Sequence, residues 1–250
     1  MRLRQRDSDM QKWQERTGML LGEDGLAKLA AAHVVVVGTG GVGGYAAEML
    51  VRAGTGRLTL IDDDEVGESN INRQLPALHS TVGRPKVEVL RERLLDINPE
   101  LDIRAERTYI TEDLLLSDAA LSLIPPTADF VVDAIDTLSP KIALIQYCLK
   151  NALPLVSCMG SGAKTDATAV RIADISKTYQ CPLAHMLRKR LHKLGIHEGF
   201  LAVFSAEPPR RDSLTLEESR NKKSQVGTIS YMPAVFGCVC AQAAIERISK

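Results

Sequence analysis

The chain has 250 residues, 45% of them hydrophobic, and Lys+Arg 31 balance Asp+Glu 31. This length and apolar content suit one α/β domain with a full core. A formal net charge of zero excludes a globally basic surface, so any polyanionic partner has to meet a local patch.

Five scattered cysteines (Cys148, Cys158, Cys181, Cys238, Cys240), with no Cys-x-x-Cys, point to free thiols in a reducing cytoplasm. The charged N-terminus does not read as a signal peptide. Residues 1–33 form a helical preamble in which Met10, Trp13, Met19, Leu20, Leu26 and Leu29 alternate with Arg and Lys, interrupted at Gly22 and Gly25. Such a preamble packs on the domain or reaches a second subunit. Val34 to Val37 then predict a strand buried on both faces, as at the centre of a parallel sheet. Gly38-x-Gly40-x-x-Gly43 turns the chain tightly into a helix carrying Ala46, Ala47, Met49, Leu50 and Val51 and ending near Gly54. The N–H groups at that helix start, with the helix dipole, make an anion site suited to nucleotide phosphates. Arg57 to Asp62 reads as the second strand, and Asp62, 22 residues past Gly40, stands where a carboxylate accepts ribose hydroxyls. To this point a nicotinamide-dependent oxidoreductase fits every residue.

The following segment does not suit hydride transfer. Asp62-Asp63-Asp64-Glu65, Asn70-x-Asn72-Arg73-Gln74 and Gly83-x-x-Lys86 crowd amides, carboxylates and cations into the region after the second strand. Nucleotidyl transfer needs such groups: Arg73 and Lys86 neutralise a triphosphate as pyrophosphate leaves, and carboxylates hold Mg²⁺. A helix from Lys86 ends at Ile97-Asn98-Pro99, and Leu101 to Ala105 is a third strand. Asp129 to Asp136 reads as another buried strand, delivering Asp133 and Asp136 to the end where open parallel sheets bind ligands. Asp136, at the tip, is the choice for Mg²⁺ or for orienting a reacting carboxylate; Asp133 is as well suited to capping Thr137 or a neighbouring turn. A helix from Pro140 to Lys150 and a strand from Pro154 to Cys158 follow. The alternation predicts a Rossmann-like doubly wound, mostly parallel sheet with helices on both faces, a nucleotide-binding core over 34–160 and an extension over 161–250.

Gly38 to Gly43, Asp62, Asn70-x-Asn72-Arg73-Gln74, Gly83-x-x-Lys86 and Asp133-Ala-Ile-Asp136 resemble the superfamily of ATP-dependent adenylating enzymes that includes ubiquitin-activating enzymes and the activators of molybdopterin and thiamine sulfur carriers. The resemblance implies ATP contacts from Gly41, Asp62 and Asp64, triphosphate contacts from Asn70, Arg73 and Lys86, and a magnesium role for Asp136. It also implies that Arg16, six residues before Gly22, is inserted into the active site of a partner subunit, hence a homodimer. Within the superfamily, the stretches from Arg16 to Glu23, Asn72 to His79, Asp133 to Lys141, Lys164 to Asp166 and Gly227 to Gly237 resemble the tRNA threonylcarbamoyladenosine dehydratase branch. That branch implies ATP-driven adenylation of the threonine carboxylate beside the anticodon, followed by ring closure. It leaves open a monovalent cation and a sulfur-transfer partner.

Three further readings concern the second half. Arg188, Lys189, Arg190 and Lys193 share one helix and form a candidate tRNA contact. Residues 206–226, with Arg210-Arg211, Glu217, Glu218 and Lys222-Lys223, read as a flexible loop. Cys181 has no legible His–Asp activation, Cys238 and Cys240 read as core, and the apolar run Val226 to Ile245 reads as a buried or amphipathic segment, not a membrane span.

Overall fold

The structure is a computed structural model, described here for residues 11–216 and 224–250. Its centre is a seven-stranded sheet in the order β3-β2-β1-β4-β5-β7-β6. β1 (His33–Val37), β2 (Arg57–Ile61), β3 (Asp102–Glu106), β4 (Phe130–Asp133), β5 (Leu155–Cys158) and β7 (Leu201–Ser205) run parallel, and β6 (Val170–Asp174) pairs antiparallel with β7 at the edge. The predicted strands and helices of the core are all present, with ends shifted by a few residues. The Val34–Val37 run explains the two-sided burial. Val35 and Val37 enter one apolar cluster, Val34 and Val36 the other, because successive side chains point to opposite faces.

One face is covered by α2 (Gly43–Ala53), α3 (Lys86–Ile97) and α8 (Tyr231–Ser249). The other is covered by α4 (Glu112–Leu116), α5 (Ala119–Leu123), α6 (Leu138–Lys150) and α7 (Pro182–His192). α1 (Glu15–Ala31) is the preamble helix; it kinks at Gly22, whose φ of 76° breaks the helical run, whereas Gly25 stays helical and packs on Ser249. Met10 lies outside the described residues.

Two expectations change. Cys238 is exposed while Cys240 is buried, because positions two apart on a helix face different directions. Within 206–226 the structure has regular pairing where a loop was expected: β8 (Leu214–Leu216) pairs antiparallel with β9 (Ser224–Val226), while Glu217, Glu218, Lys222 and Lys223 lie outside the described residues. The apolar run Val226 to Ile245 meets its reading as a buried segment: from Tyr231 on it is α8, packed against the sheet, and among the described residues no helix is long and apolar enough to cross a membrane.

Candidate active site

The strand order reverses between β1 and β4, since β1 leads to β2 on one side and β4 lies on the other. A crevice therefore opens at their C-terminal ends, the usual ligand position in such sheets. The glycine loop fills it. Gly38 has φ 88°, and a Cβ there would sit 2.8 Å from the Ala134 carbonyl oxygen of the loop after β4. At Gly43 a Cβ would lie 1.7 Å from the Gly38 carbonyl oxygen, so only glycine lets α2 start so close to β1. No side chain caps α2; the Gly44 amide donates to the Gly40 carbonyl at 3.1 Å, and the positive end of the helix dipole faces the crevice, where it favours an anion.

The segment after β2 forms the next wall. Asp62 accepts from the Thr39 amide (2.6 Å) and hydroxyl (3.0 Å) through Oδ2 and from the Asp64 amide (2.9 Å) through Oδ1. It thus ties β2 to the glycine loop. Lys86, the first residue of α3, is almost fully buried and its Nζ donates to Asp64 Oδ2 at 2.7 Å. The Asn70 side chain accepts from the Gly67 amide at 3.0 Å, and Arg73 Nη1 donates to the Ser69 carbonyl and Asn72 Oδ1, each at 2.8 Å. Asn72 in turn donates to the Thr228 carbonyl at 2.9 Å, linking this wall to the segment before α8. The Gln74 side chain lies beside Gly40. Gly41 faces the Arg73 carbonyl and Pro233 of α8.

The third wall is the loop from Ala134 to Thr137. Asp133 is fully buried, so it is not the exposed carboxylate of the pair. Its Oδ1 accepts from the Ile135 amide (3.1 Å), meeting the neighbouring-turn reading, but its Oδ2 pairs with Lys141 (2.7 Å) and Ser157 (2.6 Å). Asp136 is exposed at the crevice mouth. Carboxylates Asp62, Asp63 and Asp64 place ligand oxygens within 4.8 Å of one another, a hard donor set suited to a divalent cation. Asp62 already serves Thr39 and Asp64 already serves Lys86, and burial raises the pKa of Asp63, reinforced by the neighbouring Asp64 charge.

A family model matches these elements end to end: the ThiF family, over residues 14–250. The chain belongs to the ThiF family. A tRNA threonylcarbamoyladenosine dehydratase from Bacillus subtilis (strain 168) is 41% identical over 232 residues, covering 90% of this chain and 89% of the relative. A crystal structure of E. coli tRNA N6-threonylcarbamoyladenosine dehydratase in complex with ATP superposes with a TM-score of 0.84 at 38% identity, covering 94% of this chain and 92% of that one. The molybdopterin-synthase adenylyltransferase of Escherichia coli (strain K12) is 35% identical over 158 residues, 63% of this chain.

Not every expected residue of this ThiF-family chain converges on the crevice. Arg16 is exposed on α1, where nearby Gln11 contacts Glu100 and Gln14 faces Gly54. Both partners sit at the opposite end of the sheet from the glycine loop, so within one chain Arg16 is remote from Arg73, Lys86 and Asp136. On α7, Lys189, Arg190 and Lys193 are exposed, but Arg188 turns inward and Nη1 donates to the Thr178 carbonyl at 2.9 Å and to the Thr178 hydroxyl. Cys181 is buried at the start of α7 against Gly160.

Several residues escaped sequence reasoning. Thr39 holds Asp62; Lys141 and Ser157 hold Asp133. Lys164 is buried and donates to the Glu207 carbonyl; burial pushes its amine below the usual lysine range, against the opposing pull of Cys181 and Glu207. Lys141 and Lys164 stand in stretches that carry the resemblance, but only Lys141 carried a physical signal of its partner. It is a cation in the first turn of a helix, where the dipole disfavours it, and so calls for a nearby anion.

Proposed function

We propose that this chain is an ATP-dependent dehydratase that adenylates the threonine carboxylate of N6-threonylcarbamoyladenosine in tRNA and cyclises it to the hydantoin form, releasing AMP and pyrophosphate. The observation that carries this reading is the length of the likeness: the tRNA-modifying relatives align over nine-tenths of the chain, whereas the molybdopterin-synthase adenylyltransferase aligns over 63% of it. Adenylation of a sulfur carrier's C-terminus is therefore the second reading. A nicotinamide-dependent oxidoreductase falls behind both, because Arg73 and Lys86 line the wall where a triphosphate lies.

Each residue has a part. Gly38 to Gly43 cradle the phosphates, and Asp62, with Gly41, takes the nucleoside end. Asn70, Arg73 and Lys86 set the outer phosphates, with Arg73 offering a planar fork and Lys86, oriented by Asp64, a point charge. Asp136 would hold a magnesium ion, which when bound would neutralise triphosphate charge. The substrate carboxylate attacks the α-phosphorus and pyrophosphate leaves. The neighbouring ureido nitrogen then attacks the mixed anhydride, loses its proton and expels AMP, so the nucleoside loses one water. Ring closure is intramolecular and gains most from positioning; no cysteine nucleophile is required.

Arg16 acts on a second copy of the chain, which accounts for its distance from its own crevice and for Met19 and Leu20 beside it, 83% and 84% exposed. Lys189, Arg190 and Lys193 meet tRNA phosphates. The deciding experiment is mass analysis of nucleosides from tRNA incubated with the protein and ATP. Loss of one water from threonylcarbamoyladenosine supports the reading; AMP formed only on addition of a sulfur-carrier protein moves the assignment to the second.

A further inference from the structure

Two full charges lie at zero exposure beneath the crevice: Lys141 and Asp133, 2.7 Å apart. Ser157, the register partner of Asp133 on β5, closes the set. Its hydroxyl donates to Asp133 Oδ2 at 2.6 Å and accepts from Lys141 Nζ at 3.1 Å. Burying an ion pair is a poor way to gain stability, since well-packed apolar side chains of the same volume do as well or better. Its value lies in geometry, and the geometry here is specific. Asp133 ends β4, Lys141 lies in the first turn of α6, and the loop carrying Asp136 is the chain between them.

We infer that the Asp133–Lys141–Ser157 network is a strut that positions Asp136 and the glycine loop for adenylation. The ion pair closes a ring across the ends of the loop, and Asp133 Oδ1 fixes its first turn through the Ile135 amide at 3.1 Å. The same turn sets Ala134, whose amide donates to the Val37 carbonyl at 2.8 Å and whose carbonyl oxygen limits the space above Gly38. Movement of the strut therefore shifts both walls at once. Lys141 is a positioning residue, acting through Asp136 and touching no substrate atom itself. The inference rests on the adenylation reading of this crevice.

The test compares wild type with Asp133→Asn/Lys141→Met, which removes both buried charges together, and with Ser157→Ala. AMP release is measured at varied ATP with tRNA bearing threonylcarbamoyladenosine, and hydrogen exchange of the Ile135 amide is followed alongside. The double variant is expected to lose at least about 10-fold in kcat with KM for ATP moving less than about 3-fold, the pattern of an interaction realised in the transition state. Exchange should speed up at residues 134–137 while amides of β1 and α2 keep their protection. A folded double variant with wild-type kcat overturns the inference, as does exchange that accelerates evenly everywhere. If the double variant does not fold, Ser157→Ala decides: a reduced kcat at constant KM supports the strut, and an unchanged kcat refutes it. Wild type that releases no AMP instead defeats the adenylation reading, and local exchange still reports whether the strut holds the loop.

Discussion

Gly43→Ala probes the cradle through shape alone, without touching a charge. The added Cβ would lie 1.7 Å from the Gly38 carbonyl oxygen, whereas such atoms rest no closer than about 3.2 Å, so loop and helix must part by about 1.5 Å. Overpacking of this kind costs about 1–3 kcal/mol, equivalent in a chain of this size to about 2–12 °C in Tm. The kinetic loss is at the upper end of that range: a misplacement of about 1 Å near reacting atoms costs about 100-fold, so kcat/KM for ATP falls at least that far, or about 2.7 kcal/mol. Its neighbour supplies the control. At Gly44 a Cβ meets Leu75 and Thr39 at 3.4 Å, close to ordinary contact, so Gly44→Ala should stay within about 3-fold of wild type. AMP release at varied ATP, with thermal melts on the same samples, reads both quantities. A Gly43→Ala protein with wild-type kcat/KM would refute the assignment of this loop to the phosphates.

Asp136→Ala should reduce adenylation by about 100-fold or more at an unchanged Tm, measured by AMP release; full activity removes Asp136 from the site. Mixing Arg16→Ala with Asp136→Ala chains should restore activity to about a quarter of the sites, because half the dimers are mixed and each then holds one complete site; no recovery after subunit exchange contradicts insertion from a partner. Replacing Lys189, Arg190 and Lys193 with Ala should make tRNA binding less salt-dependent, by about 2–3 in the slope of log K against log salt, whereas Arg188→Ala should mainly lower Tm. Burial alone would raise the Glu48 pKa, but hydrogen bonds from Arg93 and Arg52 hold it below the usual 4.5. Its contribution is therefore complete above 4.5 and fades as pH falls through the lowered pKa. Glu48→Gln should accordingly melt below wild type at neutral pH, with the gap closing in acid; a gap that widens in acid contradicts the pairing.

What the sequence disclosed was local. Val34 to Val37 announce a central strand because β-branched residues on both faces suit nothing else, and the glycine spacing fixes where α2 begins. Asp62, Lys86 and Asp136 were legible because each sits at a strand end or helix start within a few residues of a recognisable turn. Long-range placement was not legible. Lys141 and Asp133 are eight residues apart, but their meaning depends on Ser157 arriving from another strand. Arg188 belonged to a basic run and became a brace because Thr178 lies beneath it. Cys238 followed its apolar neighbours in composition but the helix turned it outward. In each case burial, which is a property of the assembled fold, decided between chemically equal readings.

The packing of α8 against the glycine loop has a consequence for how this protein is made. A Cβ at Gly237 would lie 2.4 Å from the Val42 carbonyl oxygen, and Pro233 presses on Gly41, so the floor of the cradle comes from nearly two hundred residues downstream. On a ribosome, the first strand and its glycines emerge long before the helix that supports them. Early intermediates can carry the whole phosphate motif and still lack the surface that holds it in shape. By linkage, a ligand that needs this floor adds to the stability of α8 docking, so ATP would favour chains in which the helix is in place.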